Sequence, residues 1–256
     1  MKVVILAGGM GTRFGEETRL RPKPMVEIGG RPILWHIMKI YSHFGFNEFV
    51  IALGYMGSVI KEYFLNYFLH EADLTVDLRE DRIEVLQQRA EPWRVTLVDT
   101  GAKTMTGGRV RRIAPFVNEE TFMLTYGDGL SDVDMHKLLE FHRQAGKTAT
   151  VTAVRQRSGL GVLELAEKDV VLRFLEKPAN DAGWVSGGFF VFEPKIFDLL
   201  NGDGVALECE PLETLCSTSE LVARRHEGFW KAMDTLRDKG ELEELWNQGR
   251  APWRIW

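Results

Sequence analysis

Residues 3–13, Val3-Val4-Ile5-Leu6-Ala7-Gly8-Gly9-Met10-Gly11-Thr12-Arg13, are an apolar run that opens into a glycine-rich loop. The apolar run predicts a buried first strand. Glycines let the next stretch of backbone turn sharply and approach a ligand, and successive N–H groups in such a turn suit phosphate oxygens. Arg13, and Lys23 in Arg21-Pro22-Lys23-Pro24-Met25, add two positive charges. The stretch therefore predicts a polyphosphate site where a strand ends.

Two common phosphate loops do not fit this sequence. A dinucleotide fingerprint requires Gly-x-Gly-x-x-Gly running into a helix, but counting from Gly9 the third glycine position holds Phe14. A Walker loop ends in Gly-Lys followed by Ser or Thr, whereas this loop ends in Gly11-Thr12-Arg13. A purely structural turn needs neither arginine nor lysine. The wrong glycine spacing disfavours an NAD-dependent oxidoreductase.

Composition narrows the functional class. The chain has 256 residues, of which 45% are hydrophobic and 27% charged, as in a globular protein. A formal net charge of -5 gives no broad basic field, so we expect no nucleic-acid partner. No apolar stretch is long enough to span a bilayer, so we expect no membrane partner. Cys209 and Cys216 are predicted to be buried free thiols, which suits a reducing cytoplasm.

The order of apolar patterns predicts an α/β fold. Strand and helix patterns alternate in the first half, which favours a mixed, mostly parallel Rossmann-like sheet flanked by helices. Residues about 74–110 have short β-like runs with glycine-rich breaks, and predict a small β insertion over the sheet edge. No repeat or linker is found, so residues 1–256 are expected to form one domain. The clearest predicted strands and helices are strands at 3–7, 49–53, 122–126 and 149–154, and helices at 33–44, 59–69, 133–144, 210–218 and 236–248.

Asp128 is a candidate metal ligand. It lies in Tyr126-Gly127-Asp128-Gly129, after a predicted strand, and ligands of open α/β sheets bind beyond the carboxyl ends of strands. Proteins hold Mg²⁺ through one or two carboxylates together with substrate phosphates. Gly-Asp-Gly alone is a weak motif, and an aspartate in a plain turn has the same sequence. Asp234, in Met233-Asp234-Thr235, is placed to cap the helix expected to begin near Leu236.

Gly-Gly-x-Gly-Thr-Arg followed by Pro-Lys-Pro-Met is similar to the loop of the sugar-1-phosphate nucleotidylyltransferases. The resemblance extends along almost the whole chain and is to the branch that makes CDP-glucose from CTP and glucose 1-phosphate. It implies the nucleotide-diphospho-sugar transferase type of fold and a Mg²⁺ cofactor. The other segments that carry it are Glu91-Pro92-Trp93, Val98-Asp99-Thr100-Gly101, Thr106-Gly107-Gly108-Arg109, Tyr126-Gly127-Asp128-Gly129, Phe229-Trp230-Lys231-Ala232-Met233-Asp234-Thr235 and Ala251-Pro252-Trp253.

The resemblance also implies roles for individual residues. The attacking phosphate oxygen is already anionic near neutral pH, so this chemistry needs positioning and charge neutralisation rather than a strong base. Arg13, Lys23 and Lys177 are then the catalytic cations, and Asp128 and Asp234 are the metal ligands. The segment with Gly107 and Arg109 is expected to contact the base and the nucleotide phosphates. The residues implied to bind nucleotide are Leu6, Gly8, Gly9, Gly11, Thr12, Arg13, Lys23, Gly107, Arg109 and Asp128.

The sugar phosphate is expected to contact Glu176, Lys177, Ser186 and Gly187. Relatives usually carry asparagine before the paired glycines, whereas this chain has Ser186. A hydroxyl is shorter than a carboxamide and offers fewer hydrogen bonds, so the exact sugar stays open.

Base choice and assembly also stay open. The same chemistry with UTP, dTTP or another sugar 1-phosphate is the alternative reaction, and a non-catalytic nucleotide-sugar sensor is the alternative class. The charged set Arg13, Lys23, Asp128, Lys177 and Asp234 is complete, which disfavours a sensor. The resemblance implies a homo-oligomer, either a trimer or a hexamer.

Overall fold

The computed structural model describes residues 1–11, 14–15, 17–88, 90–117, 120–155, 162–165, 170–175 and 183–256. Two short 3-10 helices lie at Lys23–Met25 and Pro194–Leu199. The strands are β1 Lys2–Ala7, β2 Glu27–Ile28, β3 Arg31–Pro32, β4 Glu48–Leu53, β5 Ala72–Asp77, β6 Arg82–Gln88, β7 Arg94–Asp99, β8 Phe122–Tyr126, β9 Gly129–Ser131, β10 Ala149–Arg155, β11 Val162–Leu165, β12 Val171–Leu175, β13 Trp184–Phe192, β14 Leu221–His226 and β15 Trp230–Ala232. The α-helices are α1 Glu17–Leu20, α2 Ile33–His43, α3 Gly57–His70, α4 Thr106–Val117, α5 Met135–Ala145, α6 Glu210–Ser217 and α7 Leu236–Asn247.

The main sheet confirms the predicted fold class. Within the described residues it has nine strands, in the order β12-β11-β13-β8-β1-β4-β7, with β10 and β14 joined through β13. The first strand lies in its middle, where Ile5 is paired in parallel with Ile51 of β4 and with Thr125 of β8. β13 runs antiparallel to β8, which makes the sheet mixed. The carboxyl ends of β1, β4 and β8 therefore meet at one edge.

Two apolar layers cover the sheet. Val3 and Ile5 of β1 pack into the layer that contains α2, while Val4 and Leu6 pack into the layer that contains the buried side of α4. Because β1 is buried on both faces, its sequence is continuously apolar rather than alternating. No helix in the described part of the chain is long and apolar enough to cross a membrane.

The insertion predicted at residues 74–110 is smaller in the structure. Of the strands described in this stretch, only β5 and β6, which form a hairpin, lie outside the main sheet. Strand β7 is the sheet's edge strand and pairs in parallel with β4, and Thr106 already begins α4. An edge strand is half exposed, so it has the same polar and apolar mixture as an insertion strand. Two glycines and Pro115 weaken the helical pattern of α4.

The two cysteines differ in exposure. The two are not joined in a disulfide, and Cys216 is buried as predicted, but Cys209 is exposed. Cys209 is the residue just before α6, so it lies outside the helix face that packs on the sheet. The prediction that both thiols are buried was therefore wrong for Cys209.

Candidate active site

A cleft of about 370 Å³ opens where β1 and β8 end. Leu6, Gly8, Gly9, Gly11, Lys23, Arg109, Asp128 and Asp234 were predicted as site residues, and all of them line this cleft. The remaining lining residues were not predicted as site residues, and they are Ala7, Phe14, Pro24, Thr104, Met105, Thr106, Tyr126 and Gly127. Most of these are immediate neighbours of predicted residues, so proximity along the chain was the signal available.

Lys23 lies between the two candidate metal ligands. Its Nζ donates to Asp128 Oδ2 at 2.6 Å and to Asp234 Oδ1 at 2.8 Å. The lysine side chain is only 11% exposed. Burial lowers its pKa, but the hydrogen bonds and charges of the two carboxylates outweigh burial, so the pKa of Lys23 is raised. The ammonium group is therefore charged at neutral pH.

Asp128 and Asp234 come together although they are far apart in sequence. Asp128 follows β8, and the N–H of the adjacent Gly127 donates to Leu6 O at 3.0 Å, which ties this turn to β1. Asp234 follows β15, and Met233 N donates to Asp128 O at 2.9 Å. A backbone hydrogen bond therefore joins the two turns directly beside their carboxylates.

Thr235, rather than Asp234, caps helix α7. The Thr235 hydroxyl accepts from Asp238 N at 3.2 Å, and the Asp238 carboxylate accepts from Thr235 N at 2.8 Å, a reciprocal capping box. Asp234 is therefore not the helix cap, and its role as a metal ligand stays a prediction. The Asp234 carboxylate faces Lys23 and the cleft instead of the helix end.

Arg109 lies beneath the glycine loop, with 4% of its surface exposed. A Cβ on Gly8 would lie 2.2 Å from the Arg109 guanidinium, so a larger residue there would displace this side chain. Burial lowers the pKa of Arg109. The resemblance implied contact with nucleotide phosphates, but in this structure the guanidinium N–H groups donate to protein oxygens. Those acceptors are Gly8 O at 3.0 Å, Leu53 O at 3.0 Å, Thr100 Oγ1 at 2.7 Å, Gly101 O at 2.8 Å and Ala102 O at 3.5 Å.

Gly107 faces away from the cleft. It lies in the first turn of α4, where a Cβ would be 2.8 Å from Val205 O. The cleft is lined instead by the residues just before it, Thr104, Met105 and Thr106. Gly107 therefore allows close packing of α4 on the segment that contains Val205, and it does not line the cleft. Its expected contact with the base stays a prediction.

Two of the expected sugar-phosphate residues, Ser186 and Gly187, lie on β13, which runs antiparallel to β8. They directly precede Gly188, which faces the Tyr126 ring, and they are not in the lining of the cleft. Gly187 O accepts from Trp230 Nε1 at 2.6 Å, and Ser186 Oγ accepts from Gly188 N at 3.4 Å. The other predicted residues, Thr12, Arg13, Glu176 and Lys177, lie outside the described residues.

The two carboxylates suit a hard divalent cation. Both reach the same ammonium group, so their oxygens lie close enough to share one small ion. No group of three or more His, Cys, Asp or Glu side chains suited to a metal occurs among the residues described. Two carboxylates from the protein, with the remaining ligands from phosphates and water, is the usual arrangement for Mg²⁺.

Comparison with known proteins gives one consistent relationship. A profile described as nucleotidyl transferase matches residues 2–251. The chain is 54% identical over 257 residues to the glucose-1-phosphate cytidylyltransferase of Salmonella typhi, covering 100% of both chains. It is 46% identical, again over 100% of both, to a probable glucose-1-phosphate cytidylyltransferase of Bacillus subtilis. The crystal structure of HddC from Yersinia pseudotuberculosis superimposes with a TM-score of 0.78 at 21% identity, covering 96% of this chain and 99% of that one.

Proposed function

The chain belongs to the nucleotidyl transferase family, and from this premise we propose that it transfers the cytidylyl group of CTP to glucose 1-phosphate. The products are CDP-glucose and pyrophosphate. The 54% identity to a glucose-1-phosphate cytidylyltransferase over the full length of both chains supports this choice of substrates. The observation that carries the proposal is the Lys23 ammonium held between Asp128 and Asp234 at the mouth of the glycine loop.

The reaction is a direct in-line displacement. A phosphate oxygen of glucose 1-phosphate forms a bond to the α-phosphorus of CTP, and the bond between that phosphorus and the bridging β-phosphate oxygen breaks. The attacking oxygen carries its own negative charge, so no protein group has to remove a proton. Lys23 neutralises charge on the reacting phosphates, and preorganised groups of this kind provide much of the stabilisation of such transition states.

The glycine loop binds the triphosphate through its backbone. Gly8, Gly9 and Gly11 line the cleft and present N–H groups to phosphate oxygens. Arg109 supports the loop from below by its hydrogen bond to Gly8 O. Arg13, at the end of the same loop, adds a second cation to the phosphates, and Lys177 with Glu176 binds the sugar phosphate.

Asp128 and Asp234 would hold Mg²⁺ together with the phosphates of the substrates. The ion, when bound, lowers the cost of charge developing on the phosphate oxygens. The protein's contribution is to fix the two carboxylates, through the Met233–Asp128 backbone bond and the cap of α7. When the phosphates are absent, the Lys23 ammonium offsets the repulsion between the two carboxylates by pairing with both.

Product analysis tests this proposal. The purified protein, incubated with CTP, glucose 1-phosphate and Mg²⁺, is expected to form CDP-glucose and pyrophosphate in equal amounts. EDTA is expected to stop the reaction, and excess Mg²⁺ to restore it. Turnover that persists in EDTA would contradict the role of the two carboxylates, and no turnover with any sugar phosphate would favour a non-catalytic nucleotide-sugar sensor.

The β5–β6 hairpin supports assembly into a homo-oligomer, a trimer or a hexamer. Leu74 pairs with Val85 and Val76 with Ile83, so four apolar side chains share one face of the hairpin. Val76 is 53% exposed and Ile83 is 55% exposed. Exposed apolar patches of this kind mark contact surfaces. The apolar face is therefore proposed to pack against another copy of the chain.

Sedimentation of hairpin variants tests this assembly. Ile83→Glu places a charge on the apolar face and is expected to reduce the assembly to smaller species. Thr75→Glu places the same charge on the opposite face of the hairpin, and serves as the matched control. A wild-type chain that sediments as a monomer would contradict the proposal.

The cytoplasm is the proposed compartment. Cys209 and Cys216 are not joined in a disulfide, and Cys209 is exposed. Exposed thiols stay reduced where glutathione and thioredoxin act. Labelling of both thiols after denaturation, in protein taken from cells without reductant, tests this, and a mixed disulfide at Cys209 would contradict it.

A further inference from the structure

Glu208 joins two walls of the cleft. It belongs to the irregular segment before α6, outside every motif that points to the reaction. One carboxylate oxygen accepts from the hydroxyl of Tyr126, at the end of β8. The other accepts from Thr106 Oγ1 at 2.6 Å, at the start of α4. Tyr126 and Thr106 both line the cleft, so a single side chain behind the lining holds residues from two elements.

The segment at residues 203–208 is itself fixed against the start of α4. Met105 N donates to Asp203 O at 2.8 Å, and Gly108 N donates to Val205 O at 3.2 Å. Leu207 N donates to Thr106 Oγ1 at 2.8 Å. These bonds do not involve the Glu208 side chain, so the position of Thr106 is maintained without it. The effect of losing the carboxylate should therefore appear mainly at Tyr126.

Tyr126 lies between Asp128 and the part of β13 that carries Ser186 and Gly187. It directly precedes Gly127-Asp128, and its ring lies against Gly188, next to Ser186 and Gly187. Gly188 has a φ of +74°, and a Cβ there would be 2.6 Å from the Tyr126 ring. The ring also packs edge-on against Phe190, with the ring centroids 6.2 Å apart. Any movement of this ring changes the space beside Gly188 and the adjacent Gly187 and Ser186.

We propose that Glu208 is a positioning residue that fixes the Tyr126 ring and thereby shapes the sugar-phosphate side of the cleft. The inference rests on the proposed function, because it assigns the effect to glucose 1-phosphate. Glu208 acts through Tyr126 and does not contact the reacting atoms. A carboxylate is suited to this task because its two oxygens accept from both hydroxyls at once.

Steady-state kinetics with each substrate varied separately provide the test. Glu208→Ala is expected to raise the KM for glucose 1-phosphate about tenfold, as expected for loss of one strong hydrogen bond, and to change the KM for CTP by less than about threefold. Glu210→Ala, two residues away and exposed, is the matched control and is expected to leave both values unchanged. Glu208→Gln keeps an acceptor at this position and is expected to restore most of the loss.

A double-mutant cycle distinguishes positioning from general destabilisation. Tyr126→Phe removes the same hydrogen bond without altering the segment of Glu208, and is expected to raise the KM for glucose 1-phosphate by a similar factor. In the Tyr126→Phe background, Glu208→Ala is expected to add less than about twofold, because coupled residues are not additive. If Glu208→Ala does not fold, as judged by thermal unfolding, the Tyr126→Phe variant alone decides.

Three results would overturn the inference while wild-type turnover is normal. They are an unchanged KM in Glu208→Ala, an unchanged KM in Tyr126→Phe, and equal effects of Glu208→Ala in both backgrounds. An inactive wild-type protein, in contrast, would count against the proposed function, so the two failures are distinguishable.

Discussion

The environment of Lys23 is formed by two parts of the chain that are far apart in sequence. Its ammonium group contacts the carboxylates of Asp128, which follows β8, and Asp234, which follows β15. These two residues are 106 positions apart in the sequence. Burial alone would favour the neutral amine, yet the two carboxylates keep the pKa of Lys23 raised. The charge needed for binding phosphate is therefore present before any substrate arrives.

Replacement of this lysine, or of its partner, tests the chemistry at the residue scale. Lys23→Ala or Asp128→Asn is expected to lower kcat by about 10²-fold to 10³-fold, as when one preorganised charge is removed from an active site. Circular dichroism and thermal unfolding should show an intact fold. Lys137→Ala, at an exposed position on α5, is the control. Near-normal turnover in either variant would remove that residue from the mechanism.

Replacement of Arg109 tests the support under the glycine loop. Arg109→Met leaves several buried carbonyl oxygens without their donor, and each such loss costs about 1 to 3 kcal/mol. We expect the free energy of unfolding to fall by about 2 to 4 kcal/mol. Arg111→Met, at an exposed position on the same helix, is expected to stay within about 0.5 kcal/mol of wild type. Denaturant titration measures both, and equal stability of the two variants would contradict this role.

At the scale of elements, the link from β15 to α7 positions one metal ligand. Thr235 caps α7, which leaves Asp234 facing the cleft. Thr235→Ala is expected to lower the free energy of unfolding by about 1 kcal/mol. It is also expected to raise the Mg²⁺ concentration required for half-maximal activity, because Asp234 is less well fixed. Thr235→Ser keeps the hydroxyl and should retain both properties, whereas loss of both in the serine variant would contradict the capping explanation.

Elements with a strong apolar period could be predicted from sequence. The patterns at residues 33–44 and 236–248 correspond to α2 and α7 within a residue or two at each end. Strand β7 was taken for part of an insertion because an edge strand is apolar on one side only. Helix α4 was obscured by its glycines and Pro115, which lower helical propensity although tertiary packing maintains the helix.

Parts of the site depend on contacts that no local pattern encodes. The glycine loop, Lys23 and Asp128 are adjacent to apolar strands, and their positions at strand ends indicated the cleft. Arg109 was expected at the phosphates, but its burial depends on the absence of a Cβ at Gly8, 101 residues away. Glu208 lies in no recognisable motif, because its proposed role depends on the hydrogen bonds that it accepts from two hydroxyl groups on distant elements.

At the scale of the whole molecule, Trp246 and Trp253 near the C-terminal end pack against a buried histidine. His36 is fully buried, and its ring lies 4.7 Å from that of Trp246. Trp253 Nε1 donates to His36 Nδ1 at 3.4 Å, so His36 Nε2 carries the proton and donates to Ile28 O at 2.8 Å. Burial lowers the pKa of His36 to about 4. The folded protein therefore holds this histidine in its neutral form.

This burial predicts a pH-dependent stability. Between pH 6.5 and about 4 the unfolded chain binds a proton at His36 that the folded chain does not, so unfolding becomes easier as the pH falls. The contribution is about 1.4 kcal/mol for each pH unit across that window. Denaturant titrations from pH 7.5 to 4.5 measure it. His36→Gln should lose this component while His43→Gln, at an exposed position, keeps it, and identical slopes in wild type and His36→Gln would contradict the explanation.

The most direct test of the central claim is pyrophosphate release with glucose 1-phosphate and Mg²⁺, measured in parallel for CTP, UTP, dTTP, ATP and GTP. We predict release largely confined to CTP, together with formation of CDP-glucose. Release with UTP or dTTP in place of CTP would preserve the displacement mechanism and contradict the choice of base. Release with none of the five would contradict the claim that this cleft transfers a nucleotide to glucose 1-phosphate.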